Sequence, residues 1–167
     1  MAEIVQVYRQ EVPAMRFIGK RYGDGGHWGE WFANDWFSTI ENAMGGEQAV
    51  HRLYEDGDAY IGLRRWKEGE PFEYWIGEFT APGTPVPDGF LYRDYPPSAL
   101  GVCWISGTEE SVYSLVDACA GKLAEAGLEI LRDEDGAVWA FERCGCPRFT
   151  TPDEQGNIIL DFCHFVR

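Results

Sequence analysis

Basic residues are scarce in this chain. Fourteen Lys and Arg stand against 28 Asp and Glu, a formal net charge of −14 over 167 residues. Such a surface repels phosphate backbones and anionic lipids, so direct nucleic-acid binding and membrane binding are not expected. It attracts cations, although solubility alone also accounts for an acidic surface. Long apolar runs are missing: none reaches the ~18–20 residues of a membrane helix. The opening Met1-Ala2-Glu3-Ile4-Val5-Gln6 lacks the basic region and apolar core of a signal peptide. The histidines are His27, His51 and His164, whose spacing matches no zinc motif. The cysteines are Cys103, Cys119, Cys144, Cys146 and Cys163. An odd number without a leader points to free thiols and a cytoplasmic location. Cys144-Gly145-Cys146 has a single intervening residue, whereas closed zinc sites favour two to four, so no metal is expected even with Cys163-His164 nearby. No nucleophile elbow or phosphate loop is present, which argues against esterase and nucleotide chemistry, and no cofactor is expected.

Aromatic residues, in contrast, are abundant. Seven Trp, eight Tyr and ten Phe make up 15% of the chain. Several stand among polar residues, the composition of a lined pocket.

The chain divides into two similar halves within a single domain spanning residues 1–167. Five prolines (Pro82, Pro85, Pro87, Pro96 and Pro97) mark a connector over about 81–97. Half one runs over about 1–80 and half two over about 98–167. Tyr8-Arg9 aligns with Tyr92-Arg93, and Pro13 with Pro97, at an offset of 84. Each half then has an apolar strand, at Met15–Gly19 and Ala99–Ile105. A helical stripe follows: Trp36, Phe37, Ile40 and Met44 in the first half, and Val112, Leu115, Val116, Cys119 and Leu123 in the second. Asn34 or Asp35 is placed to cap the first helix, Gly45-Gly46 to stop it, and Gly127 to close the second. Two strands end each half, at Tyr60–Arg65 and Phe72–Phe79, then at Val138–Arg143 and Ile158–Phe165. The order is β-α-β-β twice. It predicts an α+β fold with pseudo-twofold symmetry, an antiparallel sheet with helices on one face, and a ligand cleft on the other.

Three segments carry a family resemblance. They are Val12-Pro13-Ala14-Met15-Arg16-Phe17-Ile18-Gly19-Lys20, the strand Phe72-Glu73-Tyr74-Trp75-Ile76-Gly77 with Val86-Pro87-Asp88-Gly89-Phe90 after it, and a C-terminal signature. That signature is Phe141-Glu142-Arg143, Pro147-Arg148-Phe149-Thr150-Thr151-Pro152-Asp153 and Ile159-Leu160-Asp161-Phe162-Cys163. Together they resemble the GyrI-like small-molecule-binding domain, which is similar to the effector-binding domain of AraC-type and multidrug-sensing regulators. The resemblance covers nearly the whole chain and implies a duplicated β-α-β-β fold with a cleft for lipophilic, aromatic, often cationic compounds. It places an acidic residue, Glu142 here, at the base of that cleft. It also admits a second activity, hydrolysis of cyclopropane-bearing electrophiles. Cys144 departs from the Tyr that relatives often carry. The chain opens on the first strand with no helix-turn-helix, so it is expected to be a stand-alone form.

Strand parity sharpens the site. Glu142 shares a face with Ala140 and Val138, opposite Trp139 and Phe141. If the latter two meet the helices, Glu142 faces the cleft and awaits a cation. The competing reading is an ion pair with Arg64, Arg143 or Arg148. Trp75 and Asp161 hold matching places in the last strands and are expected on one side, where an aromatic plane and a carboxylate hold a flat cation at ~0.5–2 kcal/mol per contact. Glu73 shares Trp75's parity. It is either a second acid or a solvated strand end. Trp28 and Trp31, beside Gly25-Gly26 and Gly29, suggest a flap over the cleft. Trp36 fits the helix stripe. Tyr60 and Tyr92 are candidates for either core or pocket. Binding of an aromatic cation is the primary expectation, with Glu142, Trp75, Asp161, Tyr60, Tyr92, Trp36, Trp28 and Trp31 as ligand residues. Hydrolysis with Glu142 or Glu73 as general base is the alternative. No residue pattern identifies a protein partner.

Overall fold

A computed structural model describes residues 1–46, 48–49 and 52–167. His51 lies outside the described residues. The strands are β1 (Glu3–Val12), β2 (Met15–Tyr22), β3 (Ala59–Trp66), β4 (Glu73–Thr80), β5 (Leu91–Tyr95), β6 (Ser98–Gly107), β7 (Val138–Gly145) and β8 (Ile158–Val166). They form one antiparallel sheet in the order β1-β6-β8-β7-β3-β4-β2-β5. The order is palindromic in kind: the outer strands β1 and β5, then β6 and β2, β8 and β4, and the central β7 and β3 are counterparts. The central pair β3–β7, with Ala59 opposite Gly145 and Trp66 opposite Val138, is the seam between the halves.

The outer strands are exchanged. β1 precedes β2 in sequence but pairs with β6 of the other half, and β5 precedes β6 but pairs with β2. The two Tyr-Arg segments are therefore strands in their own right, and each repeat is β-β-α-β-β. The offset of 84 is one residue out of phase with the fold. Tyr8 lies opposite Val102 and Tyr92 opposite Ile18, and Val102 and Ile18 belong to cores on opposite faces. Arg93 opposite Phe17 is the structural counterpart of Tyr8 opposite Val102.

Helices cover one face of the sheet. α1 (Trp28–Ala33) and α2 (Trp36–Ala43) bring Trp31, Phe37 and Ile40 onto Ile18, Tyr74 and Ile76. In the second half a 3-10 helix (Val112–Ala118) runs into α3 (Cys119–Glu125), and both pack on Cys103, Ile105, Ala140 and Phe162. The Val112–Leu123 stripe is thus split, with its first turns wound more tightly than α. After α3, Gly127 takes φ +82°, and the Leu128 N–H donates to the Leu123 carbonyl at 3.0 Å, closing the helix with the left-handed turn that glycine tolerates. Asp35 precedes α2 in a left-handed conformation and its carboxylate accepts from the Ser38 hydroxyl at 2.7 Å. The α1 segment is helical, with Trp31 fully buried, so the expected flap is a packed helix.

The other face carries the largest core: Phe17, Leu63, Trp75, Phe79, Tyr95, Leu100, Val102, Trp139, Phe141 and Phe165, with Leu53 and Tyr54 packed on it. Trp139 and Phe141 therefore point away from the helices. The premise that they meet the helices is reversed, because both faces of this sheet are buried and parity alone does not say which one the helices take. Glu142 accordingly stands on the helix-bearing face, in the gap between the two helical layers.

Candidate functional site

On the helix-bearing face, residues from neighbouring strands stand in rows across the sheet. One row reads Ile76, Gly62, Glu142 and Phe162 from β4, β3, β7 and β8, and the next reads Tyr74, Arg64, Ala140 and His164. Gly62 opens the space beside Glu142: a Cβ there would meet the Tyr74 hydroxyl and the Glu142 carboxylate, with Glu142 Cγ 2.8 Å away. The carboxylate fills that space. Its Oε1 accepts from the Tyr74 hydroxyl and its Oε2 accepts from Arg64 Nη2 at 3.0 Å. Glu142 is only 3% exposed. The Tyr74 oxygen in turn accepts from the Trp28 indole N–H at 3.0 Å. Burial, and then the Glu142 charge, hold the Tyr74 phenol far above its usual range. The phenol stays protonated and remains a donor to the carboxylate.

Above Glu142 opens a cleft of about 480 Å³ lined by Gly25, Trp28, Arg64, Phe72, Tyr74 and Tyr113 among others. Trp28 comes from α1 and Tyr113 from the 3-10 helix, so each half contributes a helical wall. The volume falls within the ~300–1,000 Å³ of small-molecule sites. Four aromatic side chains around the buried Glu142 carboxylate, with Asp24 also in the lining, suit a flat or propeller-shaped cation. Burial, with Glu142 next, also raises the Tyr113 phenol, so it is neutral in this setting.

Of the eight residues expected to bind ligand, Glu142 and Trp28 meet at this cleft. The others are placed elsewhere. Trp31 is helix core, with its indole N–H on the Tyr22 hydroxyl at 3.0 Å. Trp36 packs edge-on to Trp31, with Lys20 Nζ 4.4 Å from its ring. Tyr60 is on the right face but stacks on Phe37, centroids 3.7 Å apart. Tyr92 is half-exposed on edge strand β5 beneath the Arg16 guanidinium, 4.4 Å from its ring centre.

Trp75 and Asp161 do share a face, as expected, but it is the face without helices, and they do not meet. Trp75 packs edge-on to Phe17, with its indole N–H 3.2 Å from Glu73 Oε1. Glu73 is ion-paired with Arg65 at 3.4 Å on that same face, away from Glu142. Asp161 is enclosed by arginines: Oδ2 accepts from Arg143 Nη2 at 2.8 Å and from Arg148 Nη2 at 2.7 Å. Arg143 is fully buried and reaches Gln10 Oε1 at 2.9 Å. This carboxylate is satisfied within the protein.

The thiols separate similarly. Cys163 lies in the core of the face without helices, whereas His164 next to it points to the helix-bearing face. Burial pushes the Cys163 thiol up to about 12 and the Cys144 thiol well above its usual range, so both stay protonated.

Parity reasoning missed Tyr74, Tyr113 and Phe72 as walls. Arg64 stood only as a competing ion-pair partner of Glu142, and the structure shows that pair. The available signal was Tyr74, two residues from Ile76 and thus on the face opposite Trp75. Tyr113 carried none, because a helix of mixed winding does not fix which residue overhangs a neighbouring strand.

No family model matches the chain, and no curated protein matches its sequence. Solved structures do match. A putative bacterial transcription regulation protein from Staphylococcus aureus MU50 aligns with a TM-score of 0.60 at 13% identity, covering 97% of this chain and 98% of that one. SAV2435, solved bound to tetraphenylphosphonium, aligns at 0.58 and 14%, covering 98% and 94%. The EcmrR C-terminal domain aligns at 0.57 and 10%, covering 97% of both chains. The fold is the GyrI-like fold that these structures share.

Proposed function

We propose that this chain holds lipophilic, aromatic, cationic compounds in the Glu142 cleft, to sense or sequester them. The observation that carries the reading is a buried carboxylate at the floor of a cleft walled by Trp28, Phe72, Tyr74 and Tyr113. A buried charge stabilises a cation brought to it far more than a surface charge does. The rings supply apolar area and a negative π-face. The net charge of −14 raises the local cation concentration. The tetraphenylphosphonium bound to SAV2435, a protein of the same fold, is a compound of this class.

The test is a titration of tryptophan fluorescence with tetraphenylphosphonium and with neutral triphenylphosphine oxide. Trp28 lies at the cleft, so occupancy is expected to quench. Glu142→Gln is expected to weaken the cation by about tenfold or more, one decade being 1.4 kcal/mol, and to leave the neutral compound within about twofold. Equal losses for both compounds overturn the charge-matching reading.

A further inference from the structure

Arg64 occupies the place a ligand cation would take. Its guanidinium is 3.0 Å from Glu142 Oε2, 5.7 Å from the Tyr74 ring centre and 5.4 Å from that of Phe162. One carboxylate and two aromatic faces are the elements of a cation site. The seat is imperfect for an arginine, because Nε is buried and has no hydrogen-bond partner among the described residues. Such an orphaned donor is costly to keep.

A second hollow lies beside it. In the Arg64 row the next residue is Ala140, and beyond it stands His164. The short alanine leaves an opening of about 210 Å³, bounded by Arg64, Trp66, Val116, Asp117, Phe162 and His164. Two groups that can accept border it. His164 Nδ1 is buried and has no hydrogen-bond partner among the described residues, in a side chain only 7% exposed. Asp117 is exposed at the rim. Burial drops the His164 imidazole to about 4, so it is neutral near pH 7 and keeps one ring nitrogen free to accept. Arg64 and His164 stand two strand spacings apart, about 10 Å, a gap that an extended arginine largely spans.

We infer that Arg64 is an exchangeable counter-cation: it neutralises Glu142 while the cleft is empty, and a ligand cation turns it into the hollow toward His164 and Asp117. This rests on the reading of the cleft as a cation site and names what sets its selectivity. Neutral aromatics do not displace Arg64, because they offer Glu142 no replacement charge. Cations do, and their apparent affinity is lowered by the work of moving the arginine. The exchange keeps the buried carboxylate paired in both states, which avoids an isolated charge.

The experiment compares wild type, Arg64→Gln, Arg64→Met and Asp117→Asn with the same two probes, following fluorescence and thermal melting. Folding is checked by circular dichroism. Removing the competing cation is expected to tighten tetraphenylphosphonium by about tenfold, on the scale of one desolvated cation–carboxylate contact, with triphenylphosphine oxide within about twofold. The cation is also expected to raise the melting temperature of both Arg64 variants more than that of wild type, a readout that holds even if they are less stable when empty. Asp117→Asn is expected to weaken the cation in the wild-type background and to have no effect in Arg64→Gln. Unchanged or weaker cation binding in both Arg64 variants, alongside clear wild-type binding, overturns the exchange and leaves the cation-site reading intact. Failure of every variant and the wild type to bind either probe overturns the cation-site reading, and the exchange with it.

Discussion

Gly62 and Glu142 face each other across the seam strands β3 and β7, and the missing side chain of one is the space occupied by the other. Gly62→Ala would push the Tyr74 hydroxyl and the Glu142 carboxylate from their places. The expected cost is about 1–3 kcal/mol of stability, typical of forcing an added methyl into a packed site. Cation affinity is expected to fall with it. Urea unfolding and the fluorescence titration check both. A variant as stable as wild type would show that the seam has room to relax.

Tyr74→Phe tests the link between the two halves of the cleft. It removes the donor to Glu142 and the acceptor of the Trp28 indole together. Losing bonds to a charged, buried partner is expected to cost about 2–3 kcal/mol. Trp28 fluorescence is expected to shift as its indole N–H loses its partner. An unchanged emission maximum would contradict this geometry.

Asp161 belongs to stability. Asp161→Asn leaves Arg143, which is fully buried, without its main counter-charge. The expected loss is about 3–5 kcal/mol by urea unfolding, the range for breaking a buried pair. Where the variant remains folded, tetraphenylphosphonium affinity is expected to be unaltered, because Asp161 lies on the face away from Glu142. A selective loss of cation affinity without loss of stability would return Asp161 to the binding residues.

Acid sensitivity is expected at His164. Its folded value is lowered from 6.5 to about 4 by burial. The unfolded chain thus takes up a proton below 6.5 that the folded chain refuses until about 4. The stabilising effect of the neutral imidazole is present above 6.5 and is lost as pH falls through this window, by roughly 3 kcal/mol at about 1.4 kcal/mol per unit. Urea unfolding of wild type and His164→Leu between about pH 7 and pH 4 isolates it from the carboxylates. Parallel stability curves for the two proteins would refute it.

Much of the architecture was legible in the sequence. The six inner strands stand where their apolar runs place them, because each is buried and bounded by turns. The helix stripes of Trp36–Ile40 and Val112–Leu123 face the sheet as their spacing requires. The outer strands were harder. Glu3–Val12 and Leu91–Tyr95 lie at the sheet edges, and their mixed exposure gives no apolar run to find. Glu142 stands out in the sequence as a candidate acid, but its setting does not. Alternation along Val138–Arg143 separates two faces without saying which one carries the helices, and here Phe141 and Glu142 are both buried. The partners of Glu142 come from β3 and β4, and strand register is not written in local periodicity.

The exchanged edge strands bear on how the chain reaches this state. Glu3 pairs with Ser106 and Val12 with Ser98, so β1 has no template until the second half has been made. Neither half carries its own outer strand beside its own inner strands, and a chain cut between β4 and β5 would give two fragments that complete each other. Contacts this distant in sequence slow folding, since much of the chain must be ordered before they form. Mixing separately produced halves and watching the near-ultraviolet signal appear with second-order kinetics would display that mutual dependence directly.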